Sequence, residues 1–558
     1  MGRASAAAKG AAVALGGVHS DPAMPGGAPA TVDRSAVQSI WAPLAISAYR
    51  ALWIAGLVSN IGTWMQTVGA QWLLVARPNS AALVALVQTA STLPVLILAL
   101  PAGVLADVFE RRRLLIAFQA FQFAVGVVLT VLTIVGQMPP ALLLSFTFLL
   151  GCGQALWVPA YQSFIPELVP RELLPSASAL GAVSINLARA IGPAIAGVLV
   201  ARTGVAFVFA LNAATFLAFA VVLVVVRSPS SEPDEDPERF LAALRAGSRY
   251  VRHSLVVRRI LLRSGLFVFP GSAMWALLPL IAQQQLGMDA GGYGLLLAAV
   301  GMGAVAGATV MPRLRARLSS TQLLALGSIV YGVTLVVLAT VRNPWLVGLA
   351  LVPMGTAWIA VLSSVNASLQ LFLPHWVRGR GLSIYQIVLF GGQAVGAVVW
   401  GQVAQHASLT ESFLAAAAVM LIGAATLVPW PMRDTAGVDR SIATPWQDPQ
   451  LVFDPARDSG PVLVVVTYAV PPENAVAFVE AMAFVRRVRL RTGATRWDLY
   501  RDGETRDSFV ETYQVLSWGE HLRQHEGRLT GADQAREQAA RELCDGPPTV
   551  QHLFPADA

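Results

Sequence analysis

The stretch "AGVLADVFERRRLL" (Ala102–Leu115) sets one carboxylate, Asp107, and the three arginines Arg111, Arg112 and Arg113 between two long apolar segments. A carboxylate one turn before a guanidinium can accept charge-assisted hydrogen bonds from arginine or from a helix N-terminus. Gly103, one turn before Asp107, lets its helix approach a neighbour closely because it has no side chain. These residues predict a charged contact at the edge of an apolar layer. Three arginines that act only as a topological stop signal are the alternative.

A further arginine, Arg189, lies inside the apolar stretch "INLARAIGPAIAG" (Ile185–Gly197). A guanidinium at the centre of a bilayer costs roughly 3 kcal/mol on insertion scales, so we expect Arg189 to face the protein interior and to find a partner. Pro193 is expected to bend this helix, while Gly192 and Gly197 permit tight packing against another helix. A membrane helix with ordinary glycines and a tolerated proline is the alternative.

The sequence contains little that indicates a metal-binding or nucleotide-binding site. His521 and His525 stand at i and i+4 on one predicted helix, a spacing that can hold a metal, but no third ligand is spaced with them. Solvated histidines on an amphipathic helix explain the pair equally well. The two cysteines, Cys152 and Cys544, lie in very different surroundings, and a phosphate-binding glycine loop is missing. We therefore expect no metal and no cofactor.

The elements that carry Asp107, the neighbouring arginines and Arg189 are predicted to be membrane helices. The mean hydropathy is +0.60 and only 13% of residues are charged, values outside the range of a soluble globular chain. The apolar runs approach the 20 or so residues that cross a bilayer as a helix, and they lack the period-two alternation of a β-barrel. The predicted spans, numbered 1 to 12, are 51–75, 80–106, 113–136, 140–165, 176–201, 204–226, 258–283, 291–312, 321–341, 344–370, 380–405 and 411–431.

The net charge of +7 is explained by topology. Odd-numbered connections between spans carry only Arg77, Arg202 and Arg342. Even-numbered connections carry Arg111–Arg113, Arg171, the cluster Arg239–Arg263, Arg313, Arg315, Arg317, Arg378 and Arg380. By the positive-inside rule the even connections and both termini are cytoplasmic. Nucleic-acid binding is therefore not predicted.

The sequence repeats itself at an offset of 204 residues (307 − 103). The matched pairs are Gly103 with Gly307, Gly151 with Gly355, Pro170 with Pro374, Gly192 with Gly396, Gly197 with Gly401 and Arg113 with Arg317. Met311 replaces Asp107 in the second copy, so a second charged contact is not expected there. Two parallel six-helix repeats are typical of a two-lobed secondary transporter that rocks around a central site.

The remaining segments differ from the spans in composition and in hydrophobic pattern. The predicted organisation is a disordered cytoplasmic lead (1–47), a first lobe (48–227), a linker with an amphipathic helix (228–256), a second lobe (257–432), a further linker (433–460) and a cytoplasmic domain (461–558). In the last of these, strand and helix patterns follow one another as β-α-β-β-α-β, which predicts an α+β ferredoxin-like domain.

The helix of this tail is expected to turn Val476, Phe478, Val479, Met482 and Val485 inward. Its strands are expected to expose one apolar sheet face with Trp497, Leu499, Phe509 and Val515. Two copies packing face to face would bury that surface, so a homodimer through the tail is predicted.

Four stretches resemble one branch of the major facilitator superfamily, the transmembrane secretion effectors. They are Ser59–Leu74, "LPAGVLADVFERRRLL", Val158–Leu180 and Ile185–Gly197. The tail resembles the antibiotic-biosynthesis monooxygenases. The resemblance implies an all-α membrane protein that exports a small amphipathic molecule (a siderophore, an antibiotic or a drug) by proton antiport in a bacterial inner membrane. The loop at Asp107 would latch the lobes, and the Gly-Pro motif of span 5 favours export. A membrane-tethered enzyme, whose tail modifies a substrate delivered by the helices, is the alternative.

The resemblance also implies that spans 1, 4, 7 and 10 line a central cavity. Polar residues on or near these helices are candidates for substrate contact, and we select Asn60, Gln66, Gln154, Tyr161, Asn366 and Gln386. For any one amide a hydrogen bond between helices is the alternative. A mid-membrane carboxylate is missing, so Asp107, Glu167 or the substrate itself would have to carry the proton.

Overall fold

A computed structural model describes residues 39–77, 80–226, 240–432, 441 and 451–556. Most of the predicted lead (1–47), the acidic start of the first linker and most of the second linker lie outside the described residues.

The predicted spans 1 to 12 correspond to helices that we number α1 to α12. Their bounds are α1 Ser47–Val75, α2 Ala81–Val108, α3 Arg111–Ile134, α4 Pro140–Leu168, α5 Leu174–Thr203, α6 Val205–Val225, α7 Leu255–Leu280, α8 Ala290–Arg317, α9 Ser320–Thr340, α10 Pro344–Phe372, α11 His375–His406 and α12 Leu409–Ala425. A separate helix, Phe240–His253, which we call the linker helix, precedes α7. Its predicted apolar face includes Phe240 and Leu244, whose side chains lie outside the described residues.

Among the described residues ten helices, α2 to α11, are long and apolar enough to cross a membrane. The helix α12 is apolar but has only 17 residues. The helix α1 has 29 residues, and its side chains include Asn60, Gln66 and Gln71, which lower its hydropathy. The chain is therefore a multi-pass membrane protein with a mostly helical architecture.

The helices pack in the same pairs in each half of the bundle. In the first half α2 packs on α4, α1 on α5 and on α6, and α3 on α6; the second half repeats these pairs as α8 on α10, α7 on α11 and on α12, and α9 on α12. The main contacts between the halves are α2 with α11 and α5 with α8. These two contacts are also equivalent to each other under the repeat.

Repeated glycines occupy equivalent helix crossings. A side chain at Gly192 would collide with Ile61 and Trp64 of α1, and a side chain at Gly396 would collide with Phe269 and Ser272 of α7. These are the α5–α1 and α11–α7 contacts. Small residues at such crossings let backbones approach closely.

The next glycine pair lies where the halves meet. Gly197 of α5 packs on the backbone of Ala290 and Gly294 in α8, and its repeat partner Gly401 of α11 packs on Ala85 of α2. The spacing of the repeat in sequence therefore reappears as equivalent packing in space.

Arginine side chains cap two helices at the arginine-rich end of the bundle, where α2 meets α3 and α10 meets α11. Arg112 donates from Nε and Nη2 to the carbonyls of Leu223 and Val224 at the end of α6, at 2.8 and 2.6 Å. Arg263 of α7 donates to carbonyls at the end of α12, including Thr426 O at 2.8 Å. Cations at a helix C-terminus satisfy its free carbonyls and interact favourably with the helix dipole.

The tail forms a four-stranded antiparallel sheet in the order β2-β3-β1-β4. Its elements are β1 Val462–Ala469, α13 Ala475–Thr492, β2 Arg496–Arg501, β3 Ser508–Val515, α14 Trp518–Arg523, α15 Gly531–Arg541 and β4 Thr549–Leu553. The predicted order of strands and helices is confirmed. The helices cover one face of the sheet.

Two predictions about side chains in the tail are wrong. Val476 and Val479 are 75% and 47% exposed, because only the narrower stripe of Phe478, Met482 and Val485 reaches the sheet. Phe509 and Val515 are buried in the domain's own core.

Trp497 and Leu499 also pack on that core and lie on the helix-covered face, since they pair with Tyr513 and Glu511 of β3. The predicted residues of the open sheet face were therefore assigned to the wrong side of the strands. A one-residue error in facing moves every side chain across a sheet.

Glu511 of β3 is 0% exposed within this core. It accepts hydrogen bonds from Tyr468 Oη at 2.8 Å, Arg489 Nε at 3.2 Å and Trp497 Nε1 at 2.8 Å. Arg489 also pairs with Glu537 of α15 at 2.9 Å. The polar network ties strands and helices together, and its buried charges are paired as burial requires.

Candidate functional site: the junction of the helix halves

The helices α1, α5 and α7 bring one cation and two indole rings together. Arg189, midway along α5, places its guanidinium carbon 5.5 Å from the ring centre of Trp64 in α1. Its buried Nε has no hydrogen-bond partner among the described residues. The contact with Trp64 is a cation–π interaction, which compensates a buried guanidinium only in part. The predicted partner of Arg189 is thus an aromatic face.

The aromatic contact continues across the junction. The ring centres of Trp64 and Trp275 are 5.8 Å apart, and those of Trp275 and Trp358 are 5.6 Å apart. Trp275 of α7 and Trp358 of α10 are buried, while Trp64 is half-buried. The buried Nε1 of Trp275 has no hydrogen-bond partner within the described part of the chain.

Polar contacts join the halves at the other, arginine-poor end of the bundle, where α1 ends and α8 begins. Gln71 Nε2 donates to the carbonyl of Trp275 at 3.0 Å, and Tyr293 Oη donates to Gln71 Oε1 at 2.6 Å. On the opposite side of the junction Gln88 Nε2 of α2 donates to Gln393 Oε1 of α11 at 3.2 Å. These bonds hold the two halves together at the arginine-poor end.

The first-half residues predicted to contact substrate lie in different surroundings. Asn60 donates from Nδ2 to Ser184 Oγ of α5 at 3.3 Å, so it is a helix–helix contact. Gln66 is buried on the side of α1 that carries Gly62 and Gly69, both of which pack on α6. Gln66 therefore lies between helices of the first half.

Tyr161 and Gln154 both belong to α4. Tyr161 stacks on Trp157 with ring centres 4.5 Å apart and makes an edge contact with Phe219 of α6. Its hydroxyl faces Gly56 of α1. Gln154 is half-buried. Tyr161 is thus packed within the first half.

The second-half candidates are more accessible. Asn366 Oδ1 of α10 accepts from Gln370 Nε2 at 3.1 Å, and Gln386 of α11 is exposed. The structure does not bring the six predicted residues into one cluster. The cluster that it does form consists of Arg189, Trp64 and Trp275. Of these, Arg189 was singled out in the sequence for its depth, and the tryptophans carry no local signal that separates them from interfacial anchors.

The predicted latch is described only in part. Gly103 and Asp107 lie in α2, and the surroundings of the Asp107 side chain fall outside the described residues. Arg111 Nη1 pairs with Glu167 Oε1 at the end of α4 at 2.7 Å. Arg113 pairs with the neighbouring Glu110 at 2.5 Å and is largely exposed.

His521 of the tail is fully buried, and the half-buried His525 and His552 lie beside it. His521 Nε2 lies 3.0 Å from Nε2 of His552 in β4, and the His521 and His525 rings are 4.8 Å apart. Burial lowers the pKa of His521 to about 3 and that of His525 to about 2, so these imidazoles are neutral. Within the described residues no set of three His, Cys, Asp or Glu side chains is arranged to hold a metal.

The tail docks on the bundle through the linker helix and the start of α11. Glu520 accepts from Arg528 at 2.6 Å within the tail and from Arg249 of the linker helix at 3.2 Å. The guanidinium of Arg528 also lies over Trp376 of α11, 4.7 Å from the ring centre. Tyr250 of the linker helix meets the same indole edge-on at 5.6 Å. The linker helix is therefore held between the bundle and the tail.

Comparison with known proteins agrees with this architecture. The family model for transmembrane secretion effectors matches residues 38–557. The chain belongs to the transmembrane secretion effector family. This family is a branch of the major facilitator superfamily, and it places the chain among transporters rather than enzymes.

Several curated relatives of this family member are named as transporters of enterobactin or Staphyloferrin A. The enterobactin exporter EntS of Salmonella typhimurium is 30% identical over 362 residues, which cover 63% of this chain and 85% of the relative. The Staphyloferrin A transporter of Staphylococcus aureus is 24% identical over 276 residues, covering 49% and 69% respectively.

Solved structures share the fold at low identity. An auto-inhibited peptide transporter of the POT family has a TM-score of 0.57 at 12% identity, covering 70% of this chain and 98% of that one. A mutant form of the nucleoside transporter NupG has a TM-score of 0.56 at 10% identity, covering 68% and 99%.

Proposed function

We propose that this secretion effector is a secondary active exporter of a small amphipathic molecule, working by alternating access and proton antiport. One observation carries the proposal. Arg189, whose Nε lacks a hydrogen-bond partner among the described residues, meets tryptophans from both halves beside a junction that is hydrogen-bonded at its arginine-poor end. A site shared by two halves can be exposed to either side when the halves rock.

The proposed architecture is twelve spans in two lobes of six. Ten described helices meet the length and hydropathy requirements for a span. The short helix α12 and the less apolar helix α1 would be the other two spans. Equal packing pairs in the two halves support this division. Even-numbered connections hold most of the arginines that lie between spans, which favours cytoplasmic termini in a bacterial inner membrane.

Two features favour export. In the α5 motif Arg189 and Gly192 contact α1, while Gly197 and the carbonyl of Pro193 pack against α8 at Gly294. A Gly-Pro motif at this position resembles that of exporters. Relatives that match 63% of the chain are named as enterobactin exporters. A siderophore is therefore the first substrate class to test, with antibiotics and drug-like molecules next.

Proton coupling requires a group that titrates during the cycle. Glu167 is a candidate because its ion pair with Arg111 joins α4 to α3 at the arginine-rich end. Protonation of Glu167 would release that pair. Asp107 and an ionisable group on the substrate are the other candidates.

The proposal is tested with the purified chain in proteoliposomes that contain a trapped pH-sensitive dye. Enterobactin and Staphyloferrin A, the molecules named in the relatives, are added on one side while lumenal pH is recorded. Substrate-dependent proton movement that is absent from protein-free liposomes is expected for one of them. If the rate of radiolabelled substrate uptake does not change when a pH gradient is imposed, antiport is contradicted. If neither molecule moves across the membrane, a siderophore substrate is contradicted.

For the tail we propose a dimerisation module. The sheet face away from the helices carries Leu463, Val465, Val510, Tyr500 and Leu553, of which the last two are 52% and 47% exposed. Two such faces packed together would bury this surface. Residues 455–558 expressed alone should form a homodimer without bound metal. A monodisperse monomer at micromolar concentration in light scattering would contradict this.

A further inference from the structure

We propose that the cluster of Arg189, Trp64 and Trp275 binds a planar aromatic acid, so that the carried molecule is an aromatic anion. This inference rests on the proposed transport function and names the substrate class of the same site. It derives from the donors, rings and charge that the three side chains present.

Within the described residues Arg189 has no counter-charge. Arg189 lies 15 residues into α5, the 30-residue helix Leu174–Thr203, and its buried Nε lacks a partner among the described residues. A guanidinium in a low-dielectric interior is stabilised when an anion pairs with it. The acidic residues nearest in sequence order, Glu167 and Glu172, belong to the helix ends. A ligand anion would supply the missing counter-charge.

The hydrogen-bonding groups of the cluster are donors. Arginine offers five N–H groups and no acceptor, and the tryptophan indole offers one N–H and no acceptor. Arg189 Nε and Trp275 Nε1 are both buried without partners in the described part of the chain. A ligand rich in acceptors would satisfy both donors, and a carboxylate matches a guanidinium with two parallel hydrogen bonds.

The shape of the cluster favours a flat ligand. Trp64 contacts the Arg189 guanidinium and the Trp275 ring, so one indole connects the cation to the aromatic contacts of the second half. Arginine and tryptophan both stack on planar π systems. A planar acid can therefore meet the cation through its carboxylate and the indole through its ring.

Because of its location, the affinity of this site should depend on how the two halves are arranged. Trp64 and Arg189 belong to the first half and Trp275 to the second, and Gln71 bonds the carbonyl of the same Trp275 residue. Separation of the halves at the arginine-poor end would break the Gln71 bond and move Trp275 relative to Arg189. A ligand that bridges Arg189 and Trp275 would thus bind one arrangement of the halves preferentially.

The test measures binding, so it is independent of transport. The purified full-length chain in nanodiscs is titrated by calorimetry with sodium 1-naphthoate and with its neutral isostere 1-naphthamide. We expect the wild-type chain to bind the carboxylate at least tenfold more tightly. Arg189→Gln should reduce naphthoate affinity at least tenfold and change naphthamide affinity less than twofold, whereas Arg189→Lys should retain part of the preference.

Arg202→Gln is the matched control, because Arg202 is an exposed arginine on the same helix. It should bind both probes as the wild type does. Equal affinities of the wild type for the two probes, absence of naphthoate binding, or equal effects of Arg189→Gln and Arg202→Gln would overturn the inference. If binding is selective but no proton-coupled movement is found in proteoliposomes, the proposed transport function fails while the binding site stands.

Discussion

At the residue scale, Asp107 combines a charge with a position at the end of α2, next to the arginines that begin α3. Asp107→Asn keeps the shape of the side chain and removes the charge that arginine or a helix N-terminus would bind. We expect the variant to insert and fold but to export at least tenfold more slowly. Efflux from reconstituted vesicles measures the effect, with Asp289→Asn as a control at the opposite end of the bundle. Wild-type efflux by Asp107→Asn would refute the latch.

His521 and His525 of the tail give a prediction about pH. Burial, followed by the charges of neighbouring groups, lowers the pKa of His521 to about 3, below the value near 6.5 expected in an unfolded chain. The unfolded state therefore binds more protons between these values, and the stability of the tail falls as pH decreases from about 6.5 towards 3. At pH 5 the loss is about 1–2 kcal/mol for His521.

Hydrogen exchange of β1 and β3 amides in the full chain, corrected for intrinsic rates, measures this loss. His525→Gln should reduce the pH dependence, because the pKa of His525 is lowered as well, to about 2. His406→Gln is a matched control at an exposed position in α11. An unchanged pH dependence in His525→Gln would contradict the assignment.

At the element scale, the junction of the halves depends on the close approach of α5 and α8. A side chain at Gly197 would meet the backbones of Ala290 and Gly294, so it cannot be accommodated unless the helices separate. We expect Gly197→Leu to lower the thermal midpoint of the detergent-solubilised protein by several degrees and to abolish transport. Overpacking of this kind typically costs about 1–3 kcal/mol.

The control for that substitution is Gly181→Leu on the same helix, since Gly181 has open space where a side chain would project. It should leave both the midpoint and transport near wild type. Equal thermal midpoints for the two variants would contradict this prediction, because they would show that α5 and α8 accommodate a leucine at position 197 without loss of stability.

At the scale of the whole molecule, the tail is docked on the bundle by charged and aromatic contacts. Burial acts to raise the pKa of Glu520, but hydrogen bonds and charges from Arg528 and Arg523 outweigh it and leave the pKa below its usual value. Glu520 is therefore ionised at neutral pH and available to Arg249 of the linker helix. Arg249→Ala should weaken docking by about 1 kcal/mol, since Glu520 keeps its partners within the tail.

Hydrogen exchange in residues 247–253 and 518–528 measures the docking and should rise about fivefold in Arg249→Ala, the change that 1 kcal/mol produces. Arg252→Ala is the matched control, because Arg252 is exposed on the same helix. An equal response of the two variants would mean that the observed Arg249–Glu520 pair contributes nothing to docking.

The sequence alone determined the order and type of the elements. Ten of the predicted spans meet the requirements for crossing a membrane, and the strand and helix order of the tail is as predicted. These features follow from local properties: the length of apolar runs, the spacing of glycines, and the alternation of apolar and polar residues.

Tertiary structure alone decided which distant residues meet. Trp64 and Trp275 are separated along the chain by most of the first half, yet they form one cluster with Arg189 because α1, α5 and α7 converge. His552 joins His521 only through the pairing of β4 with β1. The facing of the tail strands was also decided by packing, since alternation gives two faces but does not say which one the helices cover. Such contacts depend on how separate elements pack, which no local pattern in the sequence records.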